Sequence, residues 1–270
     1  MNEELIKKII SIIKEKVDID FDNYKINTIL RRLRQRTTIL GFVSLEDYYK
    51  YLIKNLDKEV KILSEYFLIN TTEFFRDPMY FYYFNYLVKK MIRSNTMFIK
   101  ILSIGCSSGE EPYSIAMILN ERKSKCPELE YQIDAIDIDS EAIMEAKKAV
   151  YWEDAVKNVP YNYLKKYFHQ TENKYKLIHS YFDKNISFYV RDIFKLKSLV
   201  QGLLQYNFIF ARNIFFYFKE NKNIELFDRI IKMLDKGGYL ILGSSEQLLK
   251  EHAPLFKQVC PGIKIFEILE

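Results

Sequence analysis

Cysteine and histidine are scarce in this chain of 270 residues, with three of each. Cys106, Cys126 and Cys260 lie far apart and show no C-x-x-C spacing, which excludes a disulfide framework and points to reduced thiols in a cytoplasmic setting. His169, His179 and His252 are scattered as well, so no metal site is expected. No histidine-centred catalytic constellation is visible either. No apolar run reaches the length of a membrane span, so direct membrane insertion is not expected. The acidic start, Met1-Asn-Glu-Glu, leads into a helical pattern and not a signal peptide. Repeats and low-complexity tracts are missing too. The net charge of +5 is small, so local charge matters more than the total. What is abundant is apolar surface: 49% of residues are hydrophobic, enough for a substantial core in one large or two smaller domains.

Residues 1–80 carry helical periodicity and no strong strand signal. Ile6, Ile9, Ile10 and Ile13 recur at helical spacing, as do Ile26, Ile29, Leu30, Leu33 and Leu40. Residues 81–95 continue as a linker helix. From residue 96 to 270 strands alternate with helices. Strands are predicted at 97–104, 131–137, 186–190, 206–211, 238–243 and 263–268. Helices are predicted at 110–122, 140–149, 220–235 and 246–251. That rhythm predicts an α/β domain with a mostly parallel sheet covered on both faces. The segment around 160–190 breaks the rhythm and is expected to be a small antiparallel β insertion.

The most informative stretch is Ile101-Leu-Ser-Ile-Gly-Cys-Ser-Ser-Gly-Glu-Glu-Pro-Tyr-Ser114. Strand, tight turn and helix follow one another, as at the opening of a nucleotide-binding βαβ unit. Gly105 and Gly109 allow close backbone approach to a ligand. The turn is no dinucleotide fingerprint, because Ser107 replaces the middle glycine, and no P-loop, because no Lys-Ser/Thr follows. Glu110 and Glu111 open the helix where phosphate would otherwise bind. They repel phosphate and suit a cation, which points to a sulfonium- and amine-bearing cofactor such as S-adenosylmethionine.

Other candidates lie at strand ends. Asp137 closes the second strand, where an acidic residue can bond ribose hydroxyls; Asp139 reads as a helix-start residue. Asp192, followed by Ile193, closes the third strand and can face an adenine. Arg212-Asn213 ends the fourth, and a polar pair there is costly to bury unless paired. Arg212 therefore reads as a ligand contact or a structural ion pair. Tyr217 brings a hydroxyl among phenylalanines. Lys25, Arg31, Arg32, Arg34 and Arg36 flank an apolar stripe with no acidic residue between them, as a solvated basic face or as a dock for an acidic surface. No nucleic-acid module accompanies them.

Together these segments resemble the CheR-type chemotaxis receptor methyltransferases. The matching pieces are Arg31-Arg32-Leu-Arg-Gln-Arg36, Asn70-Thr-Thr-Glu-Phe-Phe-Arg76, the run Gly105 to Ser114, Asp137-Ile-Asp139, Ala211 to Phe218 and Gly237 to Glu246. They follow the family's order across nearly the whole chain. The resemblance implies a Rossmann-like S-adenosylmethionine-dependent methyltransferase sheet, an N-terminal all-α domain and an inserted antiparallel β-subdomain. It implies methylation of chemoreceptor glutamates to methyl esters, with S-adenosylhomocysteine as by-product. By motif position, Asn70, Thr72, Arg76, Gly105, Glu111, Asp137, Asp192, Ile193, Arg212 and Asn213 would contact the cofactor. Arg76 and Tyr217 would border the transferred methyl. The basic helix would meet the receptor's cytoplasmic helices, transiently at the membrane arrays. Ser108, Ala211 and Asp192 replace the family's common Thr, Cys and Asn. The loop from Gln170 to Lys176 is short and has no glycine, so action without a receptor C-terminal pentapeptide tether is expected. Competing readings are a same-fold methyltransferase for another protein, a small carboxylic acid or RNA, and a silent cofactor-binding relative.

Overall fold

A computed structural model describes residues 3–16, 21–67, 72–195 and 205–269. The chain divides into two compact units: residues 1–69 with 216–223, and residues 70–215 with 224–270.

The first unit is a helical bundle. Its helices are α1 (Glu3–Lys16), α2 (Ile26–Ile39), α3 (Leu45–Lys54) and α4 (Leu56–Phe67). Ile6, Ile9 and Ile13 of α1, Ile29 and Leu33 of α2, and Val60 and Leu63 of α4 are buried, as the helical spacing of the apolar residues requires. Ser44 caps α3 by accepting from the Asp47 N–H at 3.1 Å. Residues 216–223 join this bundle. The Lys25 N–H donates to the Tyr217 carbonyl at 2.8 Å and Lys219 N–H to the Asn23 carbonyl at 2.9 Å. The rings of Tyr24 and Phe218 meet edge-on.

The second unit begins with α5 (Pro78–Arg93). Then come β1 (Phe98–Ile104), α6 (Glu110–Lys123), β2 (Glu130–Asp137), α7 (Ser140–Lys148), β3 (Val150–Trp152), α8 (Glu153–Val156), α9 (Tyr161–Tyr167), β4 (Phe168–Gln170) and β5 (Lys174–Leu177). The chain continues through β6 (Ile186–Val190), β7 (Tyr206–Ala211), α10 (Glu220–Met233), β8 (Leu234–Leu242), β9 (Phe256–Cys260) and β10 (Ile263–Ile268). The main sheet has the order β6-β2-β1-β7-β8-β10-β9. β6, β2, β1, β7 and β8 are parallel, and the last hairpin is antiparallel. β1, β2 and β7 are almost wholly buried, so they read as continuous apolar runs and not as alternating ones. The chain leaves β1 toward β2 and β6, then returns to β7 on β1's other side. That reversal makes the carboxyl ends of β1 and β7 a topological switch point, the usual ligand position in such sheets.

Three local readings differ from the structure. Residues 246–251 are irregular and not helical; the Glu246 side chain turns in to the N–H groups of Asn213, Gly243 and Phe215, outside this segment. β9 was not predicted; it is a short edge strand with two exposed and two half-buried residues. The small antiparallel sheet, β3-β5-β4, spans residues 150–177, and residues 186–190 are the edge of the main sheet. β3 and β4 have three residues each, too few to show an alternation. No helix among the described residues is long and apolar enough to cross a membrane.

Candidate functional site

The glycine turn lies at the end of β1, with Gly105, Ser107 and Gly109 all at positive φ (71°, 50° and 92°). Gly105 has no room for a side chain, since a Cβ would sit 2.7 Å from Cγ2 of Ile214. Asp137, at the tip of β2, holds the turn: its carboxylate accepts from the Ser107 N–H at 2.7 Å and from the Asp139 N–H at 2.9 Å. Burial pushes Asp137 up to about 6 against those two bonds. Asp139 caps α7 through the N–H groups of Glu141 and Ala142, as its place in the sequence predicts.

Glu110 and Glu111 open α6 directly after the turn. Glu110 is buried, accepts from Ser108 Oγ at 2.9 Å and is pushed up to about 7 by desolvation. Glu111 accepts from Ser103 Oγ at 2.9 Å and pairs with Arg212 at 3.3 Å. Burial raises its pKa, and the charges of Arg212 and Arg76 oppose that rise. Arg212 is itself buried. It pairs with Asp77 at 2.6 Å, donates to the Arg76 carbonyl at 3.1 Å and lies 4.8 Å from the Tyr80 ring centre. Arg212 thus makes the structural ion pairs that the sequence left open, and these tie the residue 73–77 segment to the start of α6.

The Thr-Glu-Phe-Phe-Arg segment is a strained turn. Phe75 and Asp77 both take left-handed φ values, 53° and 58°. Phe74 is fully buried between the rings of Tyr151 and Phe168. Its N–H donates to the Ala155 carbonyl at 2.9 Å, and the Phe75 N–H donates to Ser114 Oγ at 3.0 Å. Thr72 is half-buried beside this turn. Asn70 lies outside the described residues. Tyr151 also donates to the Ser108 carbonyl at 2.8 Å, so the inserted sheet grips the glycine turn.

At the tip of β6, Asp192 accepts from the Phe194 N–H at 2.9 Å, and Ile193 is buried. Asn213 follows Arg212 with φ 61°, and its N–H donates to Glu246. The second unit therefore brings Arg76, Glu111 and Arg212 into one connected cluster, with Asp137 bonded to the glycine turn that begins at Gly105 and Asn213 following Arg212. Tyr217 belongs to the helical unit instead, where its ring lies 4.1 Å from that of Phe216. Among the described residues, no group of acidic, cysteine or histidine side chains has metal-binding geometry.

The basic helix α2 is not one uniform face. Arg31 and Arg34 are exposed and line a groove of about 680 Å³ with Asn27, Leu30 and Tyr66. Lys25 is exposed at the start of the helix. Arg32 is half-buried, donates to Gln35 at 2.9 Å and has its pKa lowered by burial. Arg36 corrects the sequence reading: its guanidinium makes two bonds to Glu59, at 2.7 and 2.8 Å, inside the bundle. It faces Glu59 because it sits one turn past Arg32, on the side of the helix that packs on α4. Two other functional side chains escaped sequence reading. Tyr151 sits on a strand too short to detect. Glu246 left a faint signal, a carboxylate directly after small residues at a strand end.

Two family models match the chain: "CheR methyltransferase, all-alpha domain" over residues 4–68 and "CheR methyltransferase, SAM binding domain" over residues 70–262. The chain is 30% identical to a chemotaxis protein methyltransferase of Borreliella burgdorferi, over 92% of this chain and 89% of that protein. It is 30% identical to chemotaxis protein methyltransferase 2 of Vibrio cholerae, over 87% and 82%. Its identity to the chemotaxis protein methyltransferase of Escherichia coli K12 is 26%, over 89% and 83%.

Proposed function

Since the chain belongs to the CheR methyltransferase family, we propose that it esterifies glutamate side chains on chemoreceptors, using S-adenosylmethionine. The observation that carries this reading is the tight backbone turn at Gly105, around which the carboxylates of Glu110, Glu111 and Asp137 gather. A cationic sulfonium ligand fits such a place better than a phosphate does. Ser107 Oγ and Arg212 Nε are buried there without a partner, which suits a polar ligand. When bound, the cofactor supplies a methyl group attached to a positively charged sulfur.

The protein's own work follows from the chemistry of the acceptor. A glutamate has a reference pKa of about 4.3, so it reaches the site as an anion and needs no general base. The absence of a histidine constellation agrees with that. Alignment and exclusion of water remain, and proximity alone can supply roughly 7–11 kcal/mol. The charges of the two reactants cancel in the transition state. A strongly cationic hole for the carboxylate would therefore stabilise the ground state more than the transition state. Arg76, with its charge balanced in part by Glu111, suits the task of orienting the carboxylate without trapping it. Asn70, Thr72, Asp137, Asp192, Ile193 and Asn213 are proposed to line the cofactor. Arg31 and Arg34, with Lys25 and Arg32, are proposed to meet an acidic receptor helix.

The test is transfer of tritiated methyl groups, offering receptor membranes, RNA and small carboxylic acids side by side. Label in the receptor that alkali releases as methanol is the expected result. Label that resists alkali, or that enters only the other acceptors, removes the reading.

A further inference from the structure

The proposed cofactor contacts leave the run Gly243-Ser-Ser-Glu246 without a role. We propose that Glu246 is a positioning residue, one that shapes the cofactor crevice by holding the turn Arg212–Phe215 over Gly105. This rests on the S-adenosylmethionine reading above.

Glu246 is 5% exposed. Its Oε2 accepts from the N–H groups of Asn213 at 2.8 Å and Gly243 at 2.7 Å, and its Oε1 accepts from Phe215 at 2.8 Å. The ends of β7 and β8 are thereby fastened to one carboxylate. The fastening needs a residue without a side chain at 243: a Cβ there would lie 2.9 Å from Asn213 Nδ2 and 2.9 Å from Glu246 Oε2. It also needs a residue that tolerates left-handed backbone at 213, where asparagine stands with φ 61°. The turn so held sets Ile214 against Gly105, where a Cβ would lie 2.7 Å from its Cγ2. A chain of direct contacts thus runs from Glu246, through the 213–215 backbone and Ile214, to the glycine turn. Burying a carboxylate is expensive. Bonds to three backbone N–H groups offset part of that cost. A residue without a side-chain acceptor would leave those N–H groups without this partner beside the glycine turn.

Glu246→Gln keeps the size of the side chain but replaces one acceptor oxygen by an amino group, which then faces backbone N–H donors. Calorimetry with S-adenosylhomocysteine should show affinity reduced about tenfold or more, the loss expected for one bond to a charged group. In the transfer assay the KM for S-adenosylmethionine should rise in parallel, while the KM for receptor membranes stays the same. A folded Glu246→Gln variant with wild-type affinity overturns the proposal. So does a fall in kcat at unchanged cofactor KM, which is the mark of a merely unstable enzyme. Gly243→Ala pushes on Asn213 without altering any charge and should weaken binding in the same way. It decides the matter if the glutamine variant does not fold, and wild-type affinity there is equally fatal. A wild-type protein that does not bind S-adenosylhomocysteine removes the cofactor reading together with this inference, whereas wild-type affinity in the variants removes only the inference.

Discussion

Arg36 and Glu59 form a two-bond ion pair within the helical bundle, with the Glu59 side chain wholly shielded from solvent. Tyr48 adds a third bond to the same carboxylate at 2.9 Å. Its hydroxyl is kept protonated by burial first and by the neighbouring charge of Glu59 second. Arg36→Ala leaves that carboxylate buried without its cation, a change that typically costs about 3–5 kcal/mol. Circular dichroism on heating should show the helical unit melting earlier. A variant as stable as the wild type would return Arg36 to the exposed basic face.

Arg31 and Arg34 are exposed and line the groove beside Tyr66. Reversing both to Glu should lower receptor methylation several-fold and reduce its sensitivity to salt, since exposed charges act over a Debye length of about 8 Å at physiological ionic strength. Affinity for S-adenosylhomocysteine should stay the same. Parallel loss of both would mean that α2 supports the cofactor unit instead of the substrate.

The contrast between Arg36 and Arg31 shows what the sequence can carry. The apolar stripe of α2 was legible, and so was the absence of acids around it. Which cation turns inward depends on Glu59, 23 positions further on, and no local pattern records that pairing. The parallel strands were legible for the opposite reason: burial on both faces makes β1, β2 and β7 continuous apolar runs ended by glycine or charge. The turn at Gly105 was legible because its small residues and the two glutamates after it are contiguous. Tyr151 and Glu246 were not, since each acts on a segment 30 or more residues away.

Glu110 links stability to pH. Burial raises its pKa to about 7, well above that of an unfolded glutamate. The folded protein therefore binds more protons than the unfolded chain across that window, and stability falls as pH rises from about 4.5 to 7. Asp137, raised to about 6, adds a slope of the same sign at lower pH. Denaturant titrations of the ligand-free protein, followed by the single tryptophan Trp152 in the second unit, should show this decline. Glu110→Gln should flatten it above pH 5. A wild-type stability that climbs between pH 5 and 7 would contradict the assignment.

Arg76→Ala should remove most turnover while leaving the fold intact. The backbone carbonyl of Arg76, not its side chain, holds Arg212 at 3.1 Å, so truncation spares that link. Wild-type transfer rates for Arg76→Ala on receptor membranes would displace Arg76 from the chemistry.

Tyr151→Phe tests whether the inserted sheet steadies the glycine turn. The hydroxyl of Tyr151 is bonded to the Ser108 carbonyl at 2.8 Å, and its ring packs edge-on against Phe74. Phenylalanine preserves the ring contact and deletes only the bond, leaving the half-buried Ser108 carbonyl short of a partner. The expected loss is about 1 kcal/mol. If the bond merely supports the fold, that loss appears in the melting temperature and nowhere else. If the inserted sheet sets the shape of the turn, S-adenosylhomocysteine affinity falls about fivefold as well, the equivalent of the same energy. Phe74→Leu provides the complementary cut, removing the ring contact while Tyr151 keeps its bond to Ser108. Weaker cofactor binding in both variants, with receptor KM unmoved, would establish that β3 acts on the turn and not on the substrate.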